Sequence, residues 1–408
     1  MTNALPVRAF DAASGLWRRH AAPLALGAAL VFGGAGALAV DGGIRFNCSP
    51  ARLATIQADM AAYLAELGIA PTLVSRRREW SVSSLSYALR GSPDDGDTLD
   101  LRQRPELAIS DEVVTLPAPR GQSRQQRTVS KKEILLALLQ HGRVTEFSGG
   151  NCDLAALRDH VAVRQNTVAW AEQLNWGWPS GGPSQWHRKY WRDGTPRPDV
   201  ALHEAVNDAF MHQEKYSFGC YTAAKLVMLQ GVLDYYRRIK KDFPQLHRIE
   251  ARLLADHEPL VDIEPGRMWD FEADFDRRQA DRPGKILRLQ SGVSARNFVP
   301  GDWVHIANTD PVSYRRTGYE GSNPIYLGSN RFSDYYNHHA HAYSYREKLD
   351  QVYQWRHGVF GSRRDAARIE ALSAQDIERL GAAPAKGGLV TDRRTAPQLF
   401  TDDRSSAL

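Results

Sequence analysis

Cys220 opens an apolar helical pattern in the stretch Tyr216-Ser-Phe-Gly-Cys220-Tyr-Thr-Ala-Ala-Lys-Leu226, with Leu226, Leu229, Leu233 and Tyr236 repeating on one face and Gly219 reading as a sharp turn before it. A thiol at a helix N-terminus meets unpaired backbone N–H groups and the positive end of the helix dipole, which favour thiolate over thiol. Nucleophilic cysteines of proteases and acyltransferases are activated in this way. The competing reading is a small buried residue that starts a core helix. An acylating thiolate also requires a base that takes its proton and later returns one to an amine leaving group, and a polar group that orients that base. His338-His339-Ala-His341 lies far downstream on a stretch patterned as a strand, where alternation places His339, His341 and Tyr343 on one face and His338, Ala340 and Ala342 on the other. Zinc chelation by His339 and His341 would need a further ligand pair at suitable spacing, and none is evident nearby, so neither metal nor cofactor is expected. His160, His187, His203, His212 and His305 are isolated and read as surface or satisfied core.

The elements that must position these groups follow from the pattern of the chain. Its 408 residues, 42% hydrophobic, can build a sizeable core. The net charge of +5 is dispersed or mixed with acids, as in Arg237-Arg-Ile-Lys-Lys241, and no basic face interleaved with aromatics calls for nucleic acid. At the N-terminus, Trp17-Arg-Arg-His20 precedes an uncharged run from Ala21 to Val40 that ends in Ala37-Leu-Ala39. This describes a secretory signal peptide, or alternatively an uncleaved inner-membrane anchor, and either places the remainder in the periplasm or outside the cell. Three cysteines follow, and an odd count in an oxidising compartment leaves one unpaired. If Cys48 and Cys152 pair, the free thiol is Cys220.

Helical spacing predicts helices over Pro50 to Leu67, Lys131 to His141, Asp153 to Leu174 and His203 to Phe210, then the Cys220 helix as far as about Pro244. Residues 71–101 read as strands or an extended arm, 117–127 as a linker, and 245–295 as irregular. Trp170, Trp176, Trp178, Trp186 and Trp191 crowd one segment, as core or as a groove for peptides or glycans. Beyond Phe298 the pattern turns to strands, over Trp303 to Ala307, Pro324 to Leu327 and His339 to Tyr343, and then to a helix over Tyr345 to Trp355. The expected organisation is a leader over 1–40, an accessory region with linker over 41–125, a main domain over 126–360 and a flexible tail over 361–408. A cysteine-bearing helix followed by antiparallel strands is the order of a papain-like α+β fold.

Several motifs then occur in an order that resembles the protein-glutamine γ-glutamyltransferase, or transglutaminase, of bacterial spore coats. They are Lys189-Tyr-Trp-Arg192, Tyr216-Ser-Phe-Gly-Cys220-Tyr-Thr-Ala, Phe298-Val-Pro-Gly-Asp302 and Ser322-Asn-Pro-Ile-Tyr-Leu-Gly328, within residues 185–355. The resemblance implies a transglutaminase-like fold with Cys220 as nucleophile. It also implies protein or peptide substrates that carry Gln and Lys, joined as γ-glutamyl-lysine isopeptides, or Gln deamidation when water replaces the amine. The remaining roles map less directly. The family's acid falls at Ser322, so Glu320, two residues earlier, is the nearest carboxylate for the orienting or basic role. Its Glu before the Cys falls at Gly219, and extra residues Asp334 to Asn337 precede the histidines. Ala340 and Ala342 match the family's small residues if His339 is the base, whereas counting back from the Tyr345 to Trp355 helix without gaps selects His338. A cysteine peptidase or amidase acting on envelope peptides, and a non-catalytic envelope protein of the same fold, are the rival readings.

Overall fold

The computed structural model describes residues 42–254, 288–290, 293–337, 340–360 and 366–395, apart from 82, 94, 95 and 193. The 21–40 run, His338 and His339 lie outside the described residues. The architecture is α+β, as expected. A first sheet orders β2 (Val74–Glu79), β3 (Ser84–Leu89), β1 (Gly43–Asn47) and β6 (Val144–Ser148), with β1 parallel to β6 and antiparallel to β3. Residues 43–47 thus pair with 144–148, so the region expected as accessory shares a sheet with residues beyond 126. Helix α1 (Pro50–Glu66) follows β1, within the span expected as helix, and buries Leu53, Ile56, Met60, Tyr63 and Leu64 at i, i+3, i+4 spacing.

Residues 117–127, expected as a linker, are hairpin instead. β4 (Glu112–Ala118) and β5 (Gln122–Thr128) pair in unbroken register around Pro119–Gly121, where Arg120 and Gly121 take positive φ. The composition rich in Pro, Gly, Ser and Gln that suggested a linker reflects a ribbon whose outer positions face water. Helices α2 (Lys131–Leu138) and α3 (Leu154–Ala171) follow, the latter capped by Asp153, whose carboxylate accepts the Ala156 N–H at 2.7 Å. A disulfide joins Cys48 to Cys152 across 5.9 Å between Cα atoms, tying the end of β1 to the entry of α3 and leaving Cys220 free.

A short ribbon of β7 (Trp191–Arg192) and β8 (Thr195–Pro196) leads to α4 (Leu202–Met211) and α5 (Cys220–Asp234). Helix α5 does not present one apolar face, as its leucine spacing suggested. Leu226, Val227, Met228, Leu229, Val232 and Leu233 are all buried, so it runs through the core and packs along α3. Each such side chain, removed from water, contributes roughly 1.5–3 kcal/mol. A π-helical turn, Tyr235–Ile239, ends it, and α6 (Phe243–Leu254) occupies part of the segment read as irregular.

The C-terminal part carries two sheets. One orders β11 (Gly321–Ser322), β10 (Trp303–Ala307), β15 (Val390–Thr395) and β9 (Arg288–Gln290), all antiparallel. The other orders β12 (Tyr326–Gly328), β13 (Arg331–Ser333) and β14 (Ala342–Ser344), so the strand expected over 339–343 begins only at Ala342. Helix α7 (Tyr345–Gln354) starts from a capping box of Ser344 and Glu347, and α8 (Ala374–Leu380) and β15 fall where a flexible tail was expected. Strand β15 overcomes its polar composition because β10 and β9 take both its edges, while Arg393 donates to the carbonyls of Asn297, Ser294 and Ala295 and lies 4.5 Å from the Phe298 ring. Among the described residues no helix is long and apolar enough to cross a membrane.

Candidate active site

The segment that delivers Cys220 is fixed from the tryptophan-rich stretch. Gly177 N–H donates to Tyr216 O at 3.0 Å, Phe218 N–H to Gly177 O at 3.2 Å, and Gln185 and Ser217 exchange backbone hydrogen bonds. Tyr216 Oη donates to Asp208 at 2.6 Å, and the same carboxylate meets His187 Nδ1 at 2.7 Å and His212 Nδ1 at 2.8 Å. Trp170, Trp176 and Trp191 are core, Trp186 packs at a tilt against Trp191 and Phe218, and Trp178 reaches a cavity. The aromatic crowding therefore serves mainly as scaffold for residues 216–218.

Gly219 adopts an ordinary extended conformation, φ −71° and ψ 165°, and a Cβ there would meet nothing within 4 Å, so the turn does not depend on glycine. No side chain caps α5, which leaves its first N–H groups directed toward the thiol end. Across from it lies β11. Cys220 Sγ is 3.6 Å from Gly321 O and accepts a hydrogen bond from Asn323 Nδ2 at 3.3 Å. Gly321 permits this approach, since a Cβ at that position would sit 2.6 Å from His305 Nε2 and 2.9 Å from Ile306 O. Asn323 is itself fixed, with its Oδ1 accepting from Trp303 Nε1 at 3.0 Å and its carbonyl from Tyr335 Oη at 2.7 Å.

Cys220 opens on a cavity of about 620 Å³ whose walls include Trp178, Tyr319, Tyr336, Asp334 and Lys348. Asp334 Oδ1 accepts the Tyr335 N–H at 2.7 Å and the Tyr336 N–H at 3.3 Å, and its Oδ2 lies 3.3 Å from Lys348 Nζ. Burial pushes the Cys220 thiol up from its ordinary value, and the charge of Glu320 adds to this; the Asn323 hydrogen bonds and the Lys348 charge pull it down. The helix N-terminus led to the opposite expectation, a thiolate at rest. Desolvation outweighs the dipole here because the sulfur is enclosed on its β11 side.

Glu320 is near enough to influence the sulfur but is otherwise engaged. Both its oxygens accept the Gly318 N–H, at 3.0 and 2.8 Å, burial pushes its carboxyl up, and it touches no histidine among the described residues. Of the histidine cluster, His341 lies just before β14, its carbonyl accepts the Asp334 N–H at 2.9 Å, and its buried Nδ1 has no partner among the described residues. The structure thus gathers Cys220 with Asn323, Asp334 and Lys348, three residues to which sequence reasoning gave no role. Asn323 was within reach, since it lies inside the quoted Ser322-Asn-Pro motif. Lys348 also left a signal, because it occupies an inward position of α7 beside Tyr345, Leu349 and Val352, where an apolar residue is the rule.

Comparison with known proteins bears on the same region. A family described as protein-glutamine gamma-glutamyltransferase matches residues 112–383, more than half of the chain. Among solved structures, the transglutaminase from Geobacillus stearothermophilus without its C-terminal extension is similar at 21% identity, with a TM-score of 0.33 over 52% of this chain and 85% of that one. No curated protein matches.

Proposed function

The chain belongs to the protein-glutamine gamma-glutamyltransferase family and is an acyltransferase-type enzyme acting on protein glutamine, and from this premise we propose that Cys220 is its nucleophile and lysine amines its acceptors. The observation that carries the reading is the seating of Cys220, the free cysteine at the uncapped start of α5, opening on the cavity with Asn323 on its sulfur.

Burial pushes the Cys220 thiol up, which favours loss of its proton as the sulfur attacks. The sulfur adds to the glutamine side-chain carbonyl carbon, and the negative charge that develops on the oxygen is met by N–H groups at the start of α5, Cys220's own included. The C–N bond breaks, ammonia departs with the thiol proton, and a γ-glutamyl thioester remains. A lysine amine then attacks the thioester, gives up a proton, and leaves as the isopeptide while the thiol is restored. We assign the proton carrier to His339, with His338 as the alternate, and Glu320 to charge support of the imidazolium. Placing the reaction in the periplasm or outside the cell is part of the same proposal, supported by the Cys48–Cys152 disulfide and the basic and apolar pattern of residues 17–40.

Ammonia release and fluorescent-amine incorporation into casein test the scheme. Cys220→Ala is expected to lower both to below about a thousandth of wild type. Unchanged incorporation would remove Cys220 from the mechanism. Ammonia release without incorporation by wild type would identify a deamidase instead.

A further inference from the structure

Lys348 is an anomaly on its helix. It sits at an inward position of α7 with its side chain almost wholly buried, in a place where lysine is rare unless its charge is used or balanced. The capping box fixes the first turn of α7, so the side chain enters the cavity wall from a preset direction. Its Nζ lies 3.3 Å from Asp334 Oδ2, 3.1 Å from Gln351 Oε1 and 4.4 Å from the centre of the Tyr343 ring. Asp334 and Lys348 line the same cavity as the thiol.

Resting on the reading of Cys220 as nucleophile, we propose that Lys348, seated on Asp334, is a positioning residue for acyl transfer, its ammonium favouring negative charge on the sulfur and Asp334 moderating that field. Among the described residues, the other charged or titratable groups facing this space are Glu320 just ahead of β11, Tyr319 and Arg316 on the cavity wall, Tyr335 and Tyr336 after β13, and His305, which reaches Gly321 from β10. Glu320 opposes thiolate formation and the Lys348 charge favours it, so the cation offsets part of what burial costs the sulfur. The Asp334 carboxylate, 3.3 Å from that ammonium, keeps Lys348 in place and reduces the positive field that reaches Cys220.

The two members of the pair therefore act on the thiol with opposite sign, which a purely structural ion pair would not do. Below the thiol midpoint the rate of alkylation by iodoacetamide is proportional to the thiolate fraction, so the rate at pH 8 on the full chain reads this directly. Lys348→Met is expected to slow Cys220 alkylation about tenfold and to lower kcat for amine incorporation with little change in KM. Lys348→Arg, which keeps the charge, is expected to stay within about threefold of wild type. Asp334→Asn is expected to speed alkylation several-fold. Equal-direction changes in Lys348→Met and Asp334→Asn, changes below twofold in both, or a wild-type Cys220 that no pH makes alkylatable would overturn the proposal. If Lys348→Met fails to fold, Asp334→Asn decides alone, an unchanged or slower rate being the overturning result. The proposed nucleophile is judged separately, by loss of transfer in Cys220→Ala.

Discussion

Asp302, at the entry to β10, and Asp334, just after β13, are both buried aspartates that meet cations, yet they are held in different ways. Asp302 is gripped by both terminal nitrogens of Arg143, by Arg164 Nη1 at 2.9 Å and by the Val299 N–H at 2.8 Å, deep between α3 and β10. Burial alone would push its carboxyl up, but the two guanidiniums hold it well below the usual carboxylate range. Next to it, burial and the Arg164 charge push His160 well down, and its ring Nε2 accepts from Arg164 Nε at 2.9 Å as a neutral imidazole must. Asp334 instead meets the Lys348 ammonium in a looser contact on a cavity wall. A carboxylate whose lone pairs are consumed by fixed donors, with no place on the Cys220 cavity, works as an anchor for the fold. One that borders the reacting space leaves part of its field for the reaction.

The difference can be tested from the fold side. Asp302→Ala leaves two guanidiniums buried without their counter-charge and is expected to cost about 3–5 kcal/mol in urea unfolding at pH 7. Because the folded-state value of Asp302 is depressed, its contribution is present above the ordinary carboxylate value of about 3.9 and is lost as pH falls through that value toward the folded one. The gap between wild type and Asp302→Ala should therefore narrow when the titrations are repeated below about pH 4, and a constant gap would show that the ion pairs are not its source.

Two glycines sharpen the same contrast at smaller cost. Gly301, beside the anchor, has φ +85° and a Cβ there would lie 3.2 Å from the Cα of Arg164, so Gly301→Ala is expected to lose about 1–3 kcal/mol with transfer per folded molecule unchanged. Gly321→Ala has no backbone strain to overcome but pushes β11 away from His305 and Ile306, and with it the carbonyl that faces Cys220. It should lose a similar stability, about 1–3 kcal/mol, together with tenfold or more of kcat/KM. Equal transfer by the two variants would erase the distinction. The smallest effect is expected from Asp334→Asn, about 1 kcal/mol of stability, because the replacement keeps an oxygen for its backbone donors and Gln351 Oε1 still accepts from Lys348 Nζ; a loss as large as that of Asp302→Ala would make the two aspartates alike.

Much of this was legible from the chain and some was not, for reasons that follow from distance along it. Cys220 at a helix start, the spans of α1 and α3, the strand after Asp302 and the Asn323 motif are local patterns, and local patterns are what periodicity reads. Arg143 and Asp302 are 159 residues apart and Arg164 is 138 from the same carboxylate, so nothing in the sequence marks them as partners. Asp334 stood out only as the first of a few extra residues before the histidines, and its value depends on a helix 14 positions later. The thiol's upward shift was missed because a dipole can be read from a helix start, whereas desolvation depends on β11 arriving across from it. β15 was missed because Val390-Thr-Asp-Arg-Arg-Thr395 is polar in isolation and becomes a strand only between two neighbours.

That placement of β15 has a consequence for the order of events during synthesis. β10 pairs with β11, which faces the thiol, on one side and with β15 on the other, and residues 390–395 come off the ribosome long after Cys220, Asn323 and Lys348. Until they do, β10 carries an open edge and the wall opposite the sulfur lacks its backing, a non-local pairing that closes late in folding. The backing of the strand that faces Cys220 thus depends on residues made after those that line the cavity.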